Sequence, residues 1–207
     1  VYTEEDRRQL QKLIDNEPNA IKKAEYQAEL AKVKIDKFVH EKAINRFLDK
    51  LVEDSNTSLY PFSTDVFREH FRHTFWLLPG VKEAAALEQL LRKHDIFGEE
   101  NGMFHIINAA GDGNIEDKNG SALADVLDNI RGNAKKNITK KDHTITLSCG
   151  KLTTGVSVPE WTAVLCMKGS ENTPAANYMQ TIFRVQTHAV LEGRQKSDCY
   201  VFDFAPD

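Results

Sequence analysis

The sequence predicts an α/β fold, a mainly parallel sheet flanked by helices with a helical hairpin or arm ahead of it, and three observations lead there. Short apolar runs rich in β-branched and aromatic residues, Thr144 to Leu147 and Trp161 to Met167, suit buried strands. From His73 onward such runs alternate with segments of helical period, as a parallel sheet requires. From Tyr2 to about Glu53, by contrast, the chain is charged and almost free of breakers, which suits helices alone.

Within that first stretch the turn signal DNEPNA, Asp15 to Ala20, divides two predicted helices. The longer carries Ile21, Ala24, Ala28, Ala31, Ile35 and Phe38 at spacings of three and four, and the seam then shifts to Val39, Ala43, Phe47 and Leu51. Such a seam fits a spacer between domains, or a hairpin packed on its own domain, which periodicity alone favours. Its lysines are interspersed with glutamates, the pattern of a solvated face. The Pro-containing segment NTSLYPFSTD marks a boundary, so residues 1–60 are read as arm and 61–207 as the α/β domain.

In that domain His73 to Leu78 is a strand candidate closed by Pro79 and Gly80, and Val81 to His94 is a helix with Ala84, Leu87, Leu90 and Leu91 on one side. Phe104 to Asn108 and Cys199 to Phe204 read as strands, and Ser121 to Gly132 as a helix. The intervening Ala109 to Gly120 includes GDG, but Asp112, Glu116 and Asp117 would repel phosphate, so it reads as an acidic surface loop. Ser148 to Glu160, with Gly150, Thr153, Thr154, Gly155, Ser157 and Pro159, is far longer than a hairpin needs and is read as a binding loop. Thr173 as cap and Pro174 at the first helical position then open a helix. Tyr178, Ile182, Val185 and Ala189 form its apolar stripe, and Gln180, Arg184 and Thr187 gather opposite, presenting a guanidinium fork suited to an anion.

With 207 residues, 41% of them apolar, the chain can bury one ordinary core plus an appendage. A net charge of −4 gives no basic signature, yet nucleic acid touches only one surface of a protein, so it excludes nothing there. Cys149, Cys166 and Cys199 lie in or beside apolar runs without metal spacing, and read as reduced core residues. His105, His143 and His188 are scattered, so no metal site is assigned. No apolar run approaches the roughly 20 residues that span a bilayer, and no signal peptide precedes the charged start, so a cytoplasmic protein is expected.

Two motifs carry a resemblance. TTGVSVP resembles motif V, and YMQTIFRVQT motif VI, of superfamily-two DEAD/DEAH-type helicases and translocases, and LTTGVSVPEW with QTIFRVQ is most similar to the restriction-enzyme motor subunits of types I and III. FWLLPGVKEAAALEQLL is similar to the motif IV strand and helix that open the second RecA-like lobe in that family, so the likeness covers roughly residues 62–207. It implies a helicase C-terminal, RecA-like lobe. Gln180 and Arg184 match motif VI, while Phe183 replaces its Gly and Thr187 its last Arg. The resemblance therefore implies a nucleotide-facing, catalytic role for Arg184 with Gln180, with Arg194 as a second candidate for the missing arginine. It also implies nucleotide contacts at Gly155 and Ser157, although Ser157 stands where the family has an acid, and nucleic-acid contacts at Thr153 and Thr154.

Neither a GxxxxGK[ST] phosphate cradle nor a DEAD-type acidic box occurs. ATP and Mg²⁺ are thus expected to be held mainly by an N-terminal RecA-like lobe of a longer parent chain, a reading that the start at Val1 also suggests. Alone, the chain is expected to be inactive, with DNA the expected partner, RNA left open, and no membrane. The alternative of a different class is a non-catalytic α/β nucleic-acid-binding or scaffold domain that has lost motor activity.

Overall fold

The apolar runs become strands buried on both faces. In this computed structural model residues 4–32, 37–55, 57–58, 60–99, 102–111, 120–150, 152–153, 156–169, 175–191 and 193–204 are described. They fall into two compact units, Val1–Leu48 and Asp49–Asp207.

The arm departs from the two-helix expectation. Helix α1 covers Glu4–Asn16 and α2 Ala20–Lys32, and a further helix, α3, begins only at Glu41 and ends at Val52. The predicted turn between α1 and α2 is present: the Asn19 side chain accepts from the N–H groups of Ile21 (2.9 Å) and Lys22 (3.3 Å), capping α2. The shift of the apolar seam at Val39 was a break. Val39 and His40 form a turn, His40 C=O accepts from Ala43 N–H (2.8 Å), and Glu41 and Lys50 sit at the ends of α3 where its dipole favours each charge.

In the second unit β1 (His73–Leu77), β2 (His105–Asn108), β3 (Thr144–Ser148), β4 (Ala163–Cys166) and β7 (Tyr200–Asp203) form one sheet in the order β2-β3-β1-β4-β7, with every pairing parallel. This is the predicted α/β, RecA-like sheet. Every residue of β1, β3 and β4 is buried, because a parallel sheet covered on both faces leaves no polar side to its central strands. Helices α5 (Val81–Lys93), α6 (Gly120–Arg131) and α7 (Ala175–Ile182) make the connections out of β1, β2 and β4, whereas among the described residues no helix lies between β3 and β4. Gly132, at φ 78°, ends α6 in the left-handed region, where a Cβ would lie 3.1 Å from Lys140 N.

On one side of the sheet Phe75, Leu77, Ile107 and Val164 pack with Val126 and Ile130 of α6 and with Trp161 and Val185. On the other, the Trp76 ring meets Phe62 at 5.9 Å and Phe97 at 5.8 Å, and Phe62 also meets Phe104 at 5.3 Å, at mostly edge-to-face angles that suit aromatic quadrupoles. Two elements went unforeseen. Helix α4 (Asp65–His70) starts at Thr64, whose hydroxyl accepts from Phe67 N–H at 3.2 Å. A two-stranded hairpin, β5 (Val190–Leu191) with β6 (Arg194–Gln195), turns at Gly193, φ 78°.

Candidate functional site

The outgoing connection of β1 leads to β2 on one side of the sheet, and that of its neighbour β4 leads through α7 to β7 on the other. Between such divergent connections an α/β sheet leaves a crevice at its carboxyl edge. Ladder bonds fix that edge: Leu78 N–H donates to Ser148 C=O (2.7 Å) and Met167 N–H to Leu77 C=O (2.9 Å). The loop after β3 and the helix after β4 both leave from here.

The loop is pinned from beneath. Leu152, Val156, Val158 and Trp161 are buried in the core, so Ser157, between two inward valines, is exposed. Leu152 adopts φ 64°, a conformation that costs a bulky residue on the order of 1–2 kcal/mol and that burial of its side chain holds in place. The Thr153 hydroxyl donates to Gly150 C=O at 2.7 Å, within its own loop. Thr154, Gly155, Thr173 and Pro174 lie outside the described residues.

From the other side, Tyr178, Ile182 and Val185 pack on this same core, as the stripe predicted, and Tyr178 Oη donates to Asp203 Oδ2 at 3.2 Å. Ala189 falls beyond the helix. After Ile182 the chain tightens into a 3₁₀ turn, Phe183–Gln186, which carries Arg184 off an open helix face and half buries it. Arg184 Nε donates to the carbonyls of Thr153 (3.0 Å) and Gln180 (3.1 Å), and Nη1 donates to that of Val156 (2.6 Å). The structure thus brings Arg184, Thr153 and the Gln180 backbone together, while the Gln180 side chain is exposed. Among the described residues Arg184 has no carboxylate partner, and the partners they give its guanidinium are backbone carbonyls. The backbone of Arg194 lies in β6; its side chain lies outside the described residues.

Sequence reasoning missed Lys196. Its Nζ donates to the carbonyls of Pro159 (3.1 Å), Trp161 (2.7 Å) and Thr187 (3.2 Å), so all three ammonium protons meet backbone oxygen. Burial lowers its pKa, with Cys199 and Glu160 acting in the opposite sense. No periodicity marks such a residue, because its partners are 35 and 37 positions upstream.

A cavity of about 970 Å³ opens at the opposite, amino edge of the sheet, lined among others by Phe67, His73, Ile130, Glu160, Val190 and Lys196. Its charges are largely paired: Arg131 Nε donates to Glu160 Oε1 at 2.5 Å, and Arg72 Nη2 to Glu69 Oε2 at 2.5 Å. Burial works to raise the Glu160 pKa, yet the Arg131 bond and its own backbone N–H together hold the carboxyl below its usual range. His73 is pushed down to about 4, chiefly by burial, and its Nδ1 lies 3.0 Å from Thr144 Oγ1. The carboxyl edge has the divergent connections and an arginine with no carboxylate partner among the described residues, so it is the stronger candidate. Among the described residues no cluster of His, Cys, Asp and Glu is placed to hold a metal, and no helix is long and apolar enough to cross a membrane.

Comparison with known proteins shows a relative by sequence. The chain is 34% identical over 170 residues, 81% of its length, to a Mycoplasma pneumoniae protein provisionally named as the C-terminus of a type II restriction enzyme and methyltransferase. The matched region is 22% of that relative, so the chain spans about a fifth of the length of the protein it resembles. No model of a known protein family matches the chain.

Proposed function

We propose that the chain is the second lobe of a restriction-type, DNA-dependent ATPase motor, with ATP and Mg²⁺ held mainly by a first RecA-like lobe of the same longer protein. The observation that carries this reading is Arg184: a half-buried guanidinium at the switch point of the sheet, paired with carbonyls of the loop and helix and with no carboxylate among the described residues. A fork of donors without a counter-charge is suited to an anionic group brought from outside. The relative named for restriction and methylation supports the DNA context.

In this reading the first lobe brings the nucleotide to the carboxyl edge. Arg184 leaves the Thr153 and Val156 carbonyls to meet the charge that develops on the transferring phosphoryl group, and Gln180 lies one turn away to orient it. Gly155 and the exposed Ser157 border the nucleotide, and Thr153 and Thr154 contact nucleic-acid phosphate. The sequence has no GxxxxGK[ST] phosphate cradle, so the lobe contributes the finger and part of the nucleic-acid track.

The test is ATP hydrolysis by the longer protein with duplex DNA, single-stranded DNA and RNA. Stimulation by DNA is expected, and the 207-residue chain alone should show none. A folded longer protein that binds DNA yet hydrolyses no ATP with any nucleic acid would replace the motor by a scaffold domain.

A further inference from the structure

Two cationic side chains lace the same two segments together, and only one of them belongs to the motifs. Arg184 joins the loop at Thr153 and Val156 to α7 at Gln180. Lys196 joins the same loop further along, at Pro159 and Trp161, to Thr187, just beyond the 3₁₀ turn that carries Arg184. Thr187 in turn donates its hydroxyl to Arg184 C=O at 3.3 Å. Lys196 itself is fixed by its backbone N–H, which donates to Ala189 C=O at 2.9 Å across the β5–β6 hairpin.

From this geometry we infer that Lys196 is a positioning residue of the motor site: the second rung that keeps the loop and the motif VI turn in register when Arg184 releases its own carbonyls to meet a nucleotide. This rests on the function proposed above. The chemistry fits the task, because an ammonium offers three donors around one point and three carbonyls converge on it, whereas a planar guanidinium could not satisfy all three from that place. Lys196 touches no reacting atom and acts only through the frame that aims Arg184. Without it, Arg184 is needed as the sole rung and cannot be redeployed.

The experiment uses the longer protein with DNA-stimulated ATP turnover as readout, and Arg184→Ala as benchmark. Lys196→Met should lower kcat roughly tenfold to a hundredfold, the scale of a misaimed catalytic group. KM for ATP and affinity for DNA should stay within about twofold, and Lys196→Arg should recover only part of the loss. Adding Lys196→Met to Arg184→Ala should cost nothing further, since both act through one arginine. If Arg184→Ala abolishes turnover while Lys196→Met keeps it, the positioning role is overturned and the motor reading stands. If Arg184→Ala keeps turnover, the motor reading itself fails. Should Lys196→Met not fold, Lys196→Arg decides alone: full kcat overturns the inference, and reduced kcat at unchanged Tm and KM supports it.

Discussion

Trp161 ends the loop and is the point where a single side chain can test how that loop is anchored. It is fully buried, its ring lies 4.7 Å from that of Phe75, and its Nε1–H has no acceptor among the described residues. Trp161→Ala removes the whole ring and should cost about 3–5 kcal/mol, a large part of the roughly 5–15 kcal/mol that stabilises a typical domain. Trp161→Phe behaves differently because two effects oppose. Giving up roughly 40 Å² of buried apolar surface costs about 1 kcal/mol at 25 cal/mol per Å². Deleting a buried, unbonded donor returns about 1–3 kcal/mol. The ring pair with Phe75 is retained, so the variant should range from unchanged to about 2 kcal/mol more stable. Urea unfolding of the 207-residue chain, followed by far-ultraviolet circular dichroism, measures both. A Trp161→Phe variant as unstable as Trp161→Ala would show that the indole N–H is bonded, and that the loop is held differently.

Other outcomes follow from the same geometry. His73 has a folded-state pKa of about 4 against an ordinary 6.5, so the fold binds fewer protons than the unfolded chain between those values. Its share of stability is full above pH 6.5 and is lost as pH falls toward 4, by about 3 kcal/mol in all; His73→Gln should flatten that part of the unfolding profile measured from pH 7 to 4. The Arg131–Glu160 pair has one partner half exposed, so Arg131→Gln should cost no more than about 1 kcal/mol by urea titration, with a larger cost showing that the pair anchors the loop. The chain alone should bind DNA weakly, with affinity falling steeply as salt rises from 50 to 200 mM, because phosphate contacts dominate such binding; salt-independent binding in a fluorescence-anisotropy titration would argue against that surface.

What could be read from the sequence was whatever depends on local pattern. The apolar runs Thr144 to Leu147 and Trp161 to Met167 are short and continuous, as burial on both faces of a sheet requires, and they hold the central strands β3 and β4. The stripe of Tyr178, Ile182 and Val185 followed from helical period and packs as its spacing required. At the arm the same reasoning over-extended a helix, because the seam shift at Val39 preserves apolar spacing while the backbone turns. Helix α4 had a visible signal in Thr64 followed by Asp65, a cap and a first-turn acid, hidden inside a segment rich in turn residues. The direction of the Arg184 side chain and the role of Lys196 had none. Both depend on carbonyls about 30 residues away in sequence converging on one cation, and tertiary convergence leaves no trace in periodicity.

The central claim rests on Arg184, and the measurement that addresses it is nucleic-acid-stimulated ATP hydrolysis by the longer protein carrying Arg184→Ala. A finger arginine supplies about 10³ to 10⁵ in rate in related ATPases and GTPases, far beyond anything a stabilising surface contact provides. The account predicts collapse of stimulated turnover at nearly unchanged DNA affinity, with poor rescue by Arg184→Lys, which lacks the planar fork. Arg194→Ala, measured alongside, shows whether that residue stands in for the arginine missing at Thr187. Retention of most of the stimulated turnover by Arg184→Ala would contradict the account and leave Arg184 a structural tie between loop and helix.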